Sequence, residues 1–478
     1  MSASADNPLC INRGIRLTFC HLRWLINGAL MRILKNTTVS LAFLAACSVA
    51  FSQAPDPQLL AEIQKIKAID NHSHPPKLVS PGEKDDDFDA LPCDPLEPSM
   101  PTTTSRSENP QYLAAWKGLY NYPYDDAAPE HVKELIAARN KVIQQQGDNY
   151  PNWVLDQLGI ETELANRIAL GRGLQPPHFR WVPFDDALMF PLKNSGLQSE
   201  SPDRKFFFSR ENQLLRRYMD ELSVNAMPHT LAEYTQRVIT PALELQKKKG
   251  AVAIKFEAAY LRSLDFGPVP PDPAADMAKA NTVYSHFIKG GIAPRAEYTE
   301  LQDYLFRYIA REAGRLGLAV HFHTGGGCGT YFDLAGSNPV LLDSVLNDPT
   351  LRKTNFVLLH GGAGPFTKYV AYLLMKPNVY ADFSEQTWLI PTRALSQVIR
   401  QWLEWYPEKV LFGTDLYPNT PENDWDVIGW QTTHSGREAL AIALTGMIND
   451  HEITRNRALQ VAHMVLHDNA AKLYGWMK

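Results

Sequence analysis

Cysteine is scarce: five residues in a chain of 478. No two are spaced as C-x-x-C, which excludes a zinc site built on cysteine pairs. Basic excess is also missing. Lys and Arg number 47 against 52 Asp and Glu, a net charge of −5. That leaves no electrostatic case for nucleic acid. No apolar run is long enough to span a bilayer comfortably. No Gly-rich dinucleotide fingerprint follows the first strand-like stretch. The loop Gly325-Gly326-Gly327-Cys328-Gly329 lacks the lysine and the helix start of a phosphate loop. What remains is ordinary globular composition, 45% hydrophobic and 21% charged, with ample length for a large core.

The N-terminal stretch reads as separate from the fold. Met31-Arg32-Ile33-Leu34-Lys35 is a basic start, and Val39–Phe51 is a short apolar run followed by small residues. This is the pattern of a secretory signal over residues 31–54, with residues 1–30 an over-extended gene start. Leu44-Ala45-Ala46-Cys47 also resembles a lipoprotein box, which would make Cys47 a lipid anchor. Either way the protein is expected outside the cytoplasm, periplasmic or extracellular. An oxidising compartment would permit a bridge between Cys93 and Cys328.

The barrel is expected over residues 66–478, with a polar, Pro-rich insertion at about 77–130 that could fold over a site. From Ala251 onward strands and helices alternate regularly, which implies a parallel sheet. About eight strands follow from Asp70, the number that closes an α/β barrel of the (β/α)8 TIM type. An open doubly wound sheet is the runner-up.

Polar groups end the apolar strand runs. His72 and His74 end the first, His321 and His323 the fifth, His360 the sixth and Asp415 the eighth. Functional side chains of a β/α barrel sit at those strand ends. Two imidazoles two residues apart on a strand share a face and can start a metal site. His321 reads as lying one layer deeper. Lys255 and Glu257 share a face of the fourth strand and are candidates for substrate contact or a plain ion pair. Arg167 and Arg180 end early strands and could grip a carboxylate or form ordinary ion pairs. Tyr331, Trp388, Trp425 and His434 fall in loops at the expected mouth.

The order H-x-H, His323-Thr324-Gly325, Leu359-His360-Gly361-Gly362 and Gly413-Thr414-Asp415 resembles the amidohydrolase superfamily. Its nearest likeness is to amidohydrolase family 2, the nodulin-like and decarboxylase-like branch. Ser337-Asn338-Pro339 and the terminal Asn469-Ala470-Ala471-Lys472-Leu473-Tyr474 also resemble that branch. In that group the barrel is sometimes fused to glutamine synthetase; here the barrel is expected alone. The resemblance implies one divalent metal, zinc before iron or manganese, on His72, His74, His323 and Asp415, and makes Lys255 and Glu257 candidates for bridging to a second metal. Asp415 would also move a proton, and His360 would hydrogen-bond the substrate oxygen or the attacking water. It implies a metal-dependent hydrolase activating a metal-bound water for attack on an amide, ester or lactone of a small molecule. The alternatives are a metal-dependent non-oxidative decarboxylase and a non-catalytic binding protein on the same barrel. A homo-oligomer is compatible with all three.

Overall fold

The computed structural model describes residues 54–80 and 82–477. The over-extended start, Cys47 and all but the last residue of the signal segment lie outside them.

Eight strands alternate with helices: β1 (Ala68–Ser73), β2 (Ile160–Asn166), β3 (Phe179–Val182), β4 (Ala253–Phe256), β5 (Ala319–Gly325), β6 (Phe356–Ala363), β7 (Val379–Asp382) and β8 (Val410–Leu411). All pair in parallel, in the order β1-β2-β3 and β4-β5-β6-β7-β8. Backbone hydrogen bonds join the two sheets at both edges. Lys255 N donates to Pro183 O at 2.8 Å and Asp185 N to Lys255 O at 3.0 Å, linking β3 to β4. Asn71 N donates to Phe412 O at 2.9 Å and Asp415 N to His72 O at 2.8 Å, linking β8 to β1. The sheet closes, so the expected (β/α)8 barrel is the fold.

Alternation sorts the side chains. Ile254, Phe256, Val320, Phe322, Phe356 and Leu358 face outward and pack on helical residues such as Leu305 and Ile309. Ile69, Leu164, Ala253, Val357, Leu359 and Leu411 point inward, forming a separate interior cluster. Ala470 and Ala471 close the base of that cluster, with Tyr474 and Trp476 packed against it. The last strand, β8, pairs with β7 over only two residues, and the chain beyond Leu411 bonds to β1.

The insertion is ordered and seated on the barrel. Ala90 and Leu91 are buried in the main core. A helix, Pro110–Tyr120, starts at the Asn109 side-chain cap and ends at left-handed Asn121. It packs on the long helix Trp425–Asn449, with Trp116 Nε1 donating to Asn423 Oδ1 at 3.1 Å. Cys93 and Cys328 form a disulfide that ties the insertion to the loop after β5. Among the described residues no helix is long and apolar enough to cross a membrane.

Candidate metal centre

At the C-terminal ends of the strands lies a cavity of about 560 Å³. His72, His74, His323, His360, Asp415, Lys255 and Glu257 all line it. Three backbone irregularities aim these groups. The β1–β2 register breaks between Asp70 and Ser73, so His72 joins the mouth although Asn71 before it faces the interior. On β6, Leu359 faces inward and simple alternation would send His360 out; a φ of +61° turns it back. Asp415 sits at +56°. Left-handed backbone is strained for such residues and is held by its surroundings.

Hydrogen-bond partners fix which ring nitrogens carry protons. His323 Nε2 lies 2.6 Å from Gly326 O, and a carbonyl only accepts, so that nitrogen donates and Nδ1 keeps its lone pair. Ser384 Oγ donates to Asp382 Oδ1 at 2.6 Å and accepts from His360 Nδ1 at 2.9 Å. His360 Nε2 is then also a lone pair. It faces His323 Nδ1 at 3.1 Å. His72 Nε2 faces the donor Lys255 Nζ at 3.4 Å and Asp415 Oδ1 at 3.1 Å. His74 Nδ1 is 3.0 Å from Asp89 Oδ2, leaving Nε2 toward Asp415 Oδ1 at 3.5 Å. Lone pairs of His323 and His360 therefore face each other. Asn166 Nδ2 donates to His72 Nδ1 at 2.7 Å, so His72 Nε2 carries its proton toward the Asp415 carboxylate. Acceptors facing one another repel unless a cation lies among them. Donor atoms of His72, His360 and Asp415 are all within 4.8 Å of one another, which suits the ~2.0–2.2 Å bonds of a divalent metal.

Burial dominates the electrostatics. It holds His72 and His360 well below the usual imidazole pKa and His323 down to about 3, so all three rings are neutral. It pushes Asp415 up to about 7 and Glu385 to about 8. Glu257 is raised well above the usual carboxylate range by the same cause. Lys255 Nζ lies 3.9 Å from Glu257 Oε1, a buried ion pair facing the cavity.

The structure brings His72, His74, His323, Asp415 and His360 to one cavity, where His72, His360 and Asp415 form one close donor group and His74, Asp89 and Glu257 another. The aprotic Nε2 of His360 cannot donate to a substrate oxygen, so His360 fits a ligand better than the hydrogen-bonding role expected from sequence. His321 lies deeper, as expected, with Nε2 2.8 Å from the Tyr474 hydroxyl. Tyr474 donates on to Asn71 Oδ1, and Asn71 Nδ2 to Asp382 Oδ2 at 2.7 Å. A polar chain thus descends from the mouth to the base.

Four expectations need correcting. Arg167 is locked into Asp85 by bonds of 2.6 and 2.9 Å and does not reach the cavity. Arg180 stacks over Trp476, 5.3 Å from its ring centre, at the base. Tyr331 is exposed and bonded to Glu97. His434 stacks on Trp430, in a crevice beside Lys67 and Gly159, which precede β1 and β2. That is the opposite end of the barrel. Trp388 does line the cavity.

Sequence reasoning missed Asp89 and Glu385. Asp89 sits in an aperiodic insertion that offers no pattern to read. Glu385 follows β7 by three residues, at a φ of +60°, and the strand-end rule would have found it.

Comparison with known proteins decides the family. The amidohydrolase family model Amidohydro_2 matches residues 207–476, more than half of the chain. The chain belongs to this amidohydrolase family. The match leaves out β1 to β3, so His72 and His74 rest on the geometry above. Protein fluG of Emericella nidulans is 29% identical over 234 residues, 47% of this chain and 25% of that protein. The chain thus spans about a quarter of the length of that relative. Among solved structures, uronate isomerase of Thermotoga maritima aligns with a TM-score of 0.56 at 13% identity, covering 87% of this chain and 96% of that one. A Lactobacillus casei protein assigned as a metal-dependent hydrolase aligns at 0.51 and 17%, covering 89% and 98%. These proteins share the barrel, and at such identities the likeness extends to the fold alone.

Proposed function

We propose that this amidohydrolase is a metal-dependent hydrolase in which water attacks a carbonyl-type carbon of a small-molecule amide, ester or lactone. One observation carries the reading: buried nitrogens of His72 and His360 gather with an Asp415 oxygen within 4.8 Å of one another, while the lone pair of His360 faces that of His323, and a cation among them relieves that repulsion. When bound, a divalent metal, zinc before iron or manganese, supplies Lewis acidity and lowers the pKa of a water from 15.7 to about 7.

The chain's own groups supply the rest. Asp415 accepts the proton of the attacking water and returns it to the leaving group. Lys255, the one cationic side chain lining the cavity among the described residues, stabilises negative charge that develops on the substrate oxygen. Asp89 holds the His74 ring from outside, fixing which nitrogen faces inward. The insertion covers the mouth and limits water. The same reading has the protein exported, and the Cys93–Cys328 disulfide supports this because such bonds persist in oxidising compartments.

Elemental analysis of the purified protein beside His72→Ala tests the reading. One equivalent of metal in the wild type, lost in the variant, is expected, with hydrolysis of at least one amide, ester or lactone. A folded wild type that takes up no metal on reconstitution would remove the hydrolase.

A further inference from the structure

The cavity holds a hydroxyl that no step above uses. Tyr260 lines it, from the short helical turn Ala258–Leu261 that follows β4. Its ring centre lies 4.7 Å from that of His323, 4.9 Å from Phe332 and 5.6 Å from Phe207. Wedged among these rings, it keeps one orientation beside the metal group.

Among the described residues the Tyr260 hydroxyl makes one hydrogen bond, and there it accepts: Cys328 N donates to it at 3.3 Å. A backbone N–H cannot accept, so this bond leaves the phenolic proton unused. Cys328 is tied through its sulfur to Cys93, which holds the donating amide in place. With its accepting side occupied, the oxygen has its proton to offer elsewhere. Burial, with the charges of Glu257, Glu385 and Asp415, raises the phenol well above its ordinary pKa and keeps that proton on it.

The other groups leave this task open. His360 Nε2 and His323 Nδ1 are lone pairs, and His72 Nε2 points its proton at Asp415. Lys255 already faces Glu257 and His72. An oxygen that gains charge in a transition state is stabilised by donors positioned in advance in a dry site.

We propose that Tyr260 is a catalytic residue whose hydroxyl donates a hydrogen bond to the substrate oxygen that gains negative charge, beside Lys255. As the water oxygen bonds to the carbonyl carbon, the π pair of the carbonyl moves onto that oxygen and Asp415 takes the water proton. On collapse the pair returns, the bond to the leaving group breaks, and the leaving group takes the proton from Asp415. Tyr260 keeps its own proton throughout. The role in turnover rests on the hydrolase reading; donation to an anionic oxygen does not.

Wild type and Tyr260→Phe, both loaded with zinc, are compared in two assays. Hydrolysis of 4-nitrophenyl acetate, 4-nitroacetanilide and dihydrocoumarin reads the step. Calorimetric titration with phenylphosphonate, whose tetrahedral anionic oxygens stand in for the charged oxygen, reads the donor without turnover. In the variant kcat should fall about 10²- to 10³-fold and KM change less than about threefold, with zinc content unchanged. Phenylphosphonate should bind about tenfold more weakly. Unchanged kcat overturns the assignment and leaves the hydrolase intact. Unchanged phenylphosphonate affinity, or no binding of it by the wild type, also overturns it. Tenfold weaker phenylphosphonate binding in the variant, with no substrate cleaved by the wild type, counts against the hydrolase and leaves the donor standing. A protein with 3-fluorotyrosine in place of Tyr260 keeps the hydroxyl and decides the matter whether or not Tyr260→Phe folds. Its fluorine resonance should shift when phenylphosphonate binds, and an unmoved resonance overturns the assignment.

Discussion

The two ends of this barrel are built from the same residue types to opposite ends. At the base, His321, Tyr474 and Asn71 join one hydrogen-bonded chain, and Trp476 lies under Arg180. At the mouth, lone pairs face lone pairs, Glu257 and Glu385 keep unpaired oxygens, and His360, Glu385 and Asp415 sit in left-handed backbone. A histidine at the base is bonded into the fold; a histidine two residues along the same strand lines the cavity. What separates them is what they face: His321 Nε2 meets the Tyr474 hydroxyl, and His323 Nδ1 meets a second imidazole. Buried titratable groups held in strained backbone around a cavity mark the working end.

Removing a ligand should break that contrast most strongly. His72→Ala is expected to lose nearly all bound metal and turnover, read by elemental analysis and rate assay, with the far-ultraviolet circular dichroism retained. Asp415→Asn should lower kcat by about 10²- to 10⁴-fold, the usual worth of a positioned proton acceptor. Unchanged turnover there would remove Asp415 from proton transfer. Cys93→Ser frees the insertion from the β5 loop across 235 residues of chain. A loss of about 2–5 kcal/mol is expected, measured by denaturant unfolding. At the base, Tyr474→Phe deletes one hydroxyl shared by His321 and Asn71. It should cost about 1–3 kcal/mol of stability and leave metal content and KM unchanged. A changed metal content would show that base and mouth are coupled through Asn71 and Asp382.

The mildest test is pH. In the metal-free protein burial raises Asp415 to about 7 and Glu385 to about 8, above their unfolded values. The native state then holds protons that the unfolded state has released, so stability falls as pH rises through those values. Melting temperature of the metal-free protein should drop between about pH 4 and 8 and level off above. A flat profile would place both carboxylates in a more polar setting than their burial implies.

Much of this was legible in the sequence, for a physical reason. Parallel strands buried on both faces show as apolar runs, and a polar residue ending such a run stands out. That exposed His72, His74, His323, His360 and Asp415 together with the eight-stranded barrel. Backbone geometry was not legible. The left-handed turn that swings His360 into line with the ligands has no signature beyond the Gly361-Gly362 pair behind it. Nor do loops have a period, so Asp89 and Glu385 went unseen, and Arg167 looked free until Asp85 folded against it.

The closing seam has a kinetic consequence. β1 and β8 meet across almost the whole chain, joined by the Asn71–Phe412 and Asp415–His72 hydrogen bonds, and each strand carries ligands. A bound metal therefore clasps the first strand to the last, like a hasp over the edge where a barrel would unzip. Occupancy stabilises only the closed form, by mass action. Stripping the metal should speed amide exchange at Asn71 and Asp415 first, while the amide of Val320 on β5, held inside an unbroken sheet, exchanges as before.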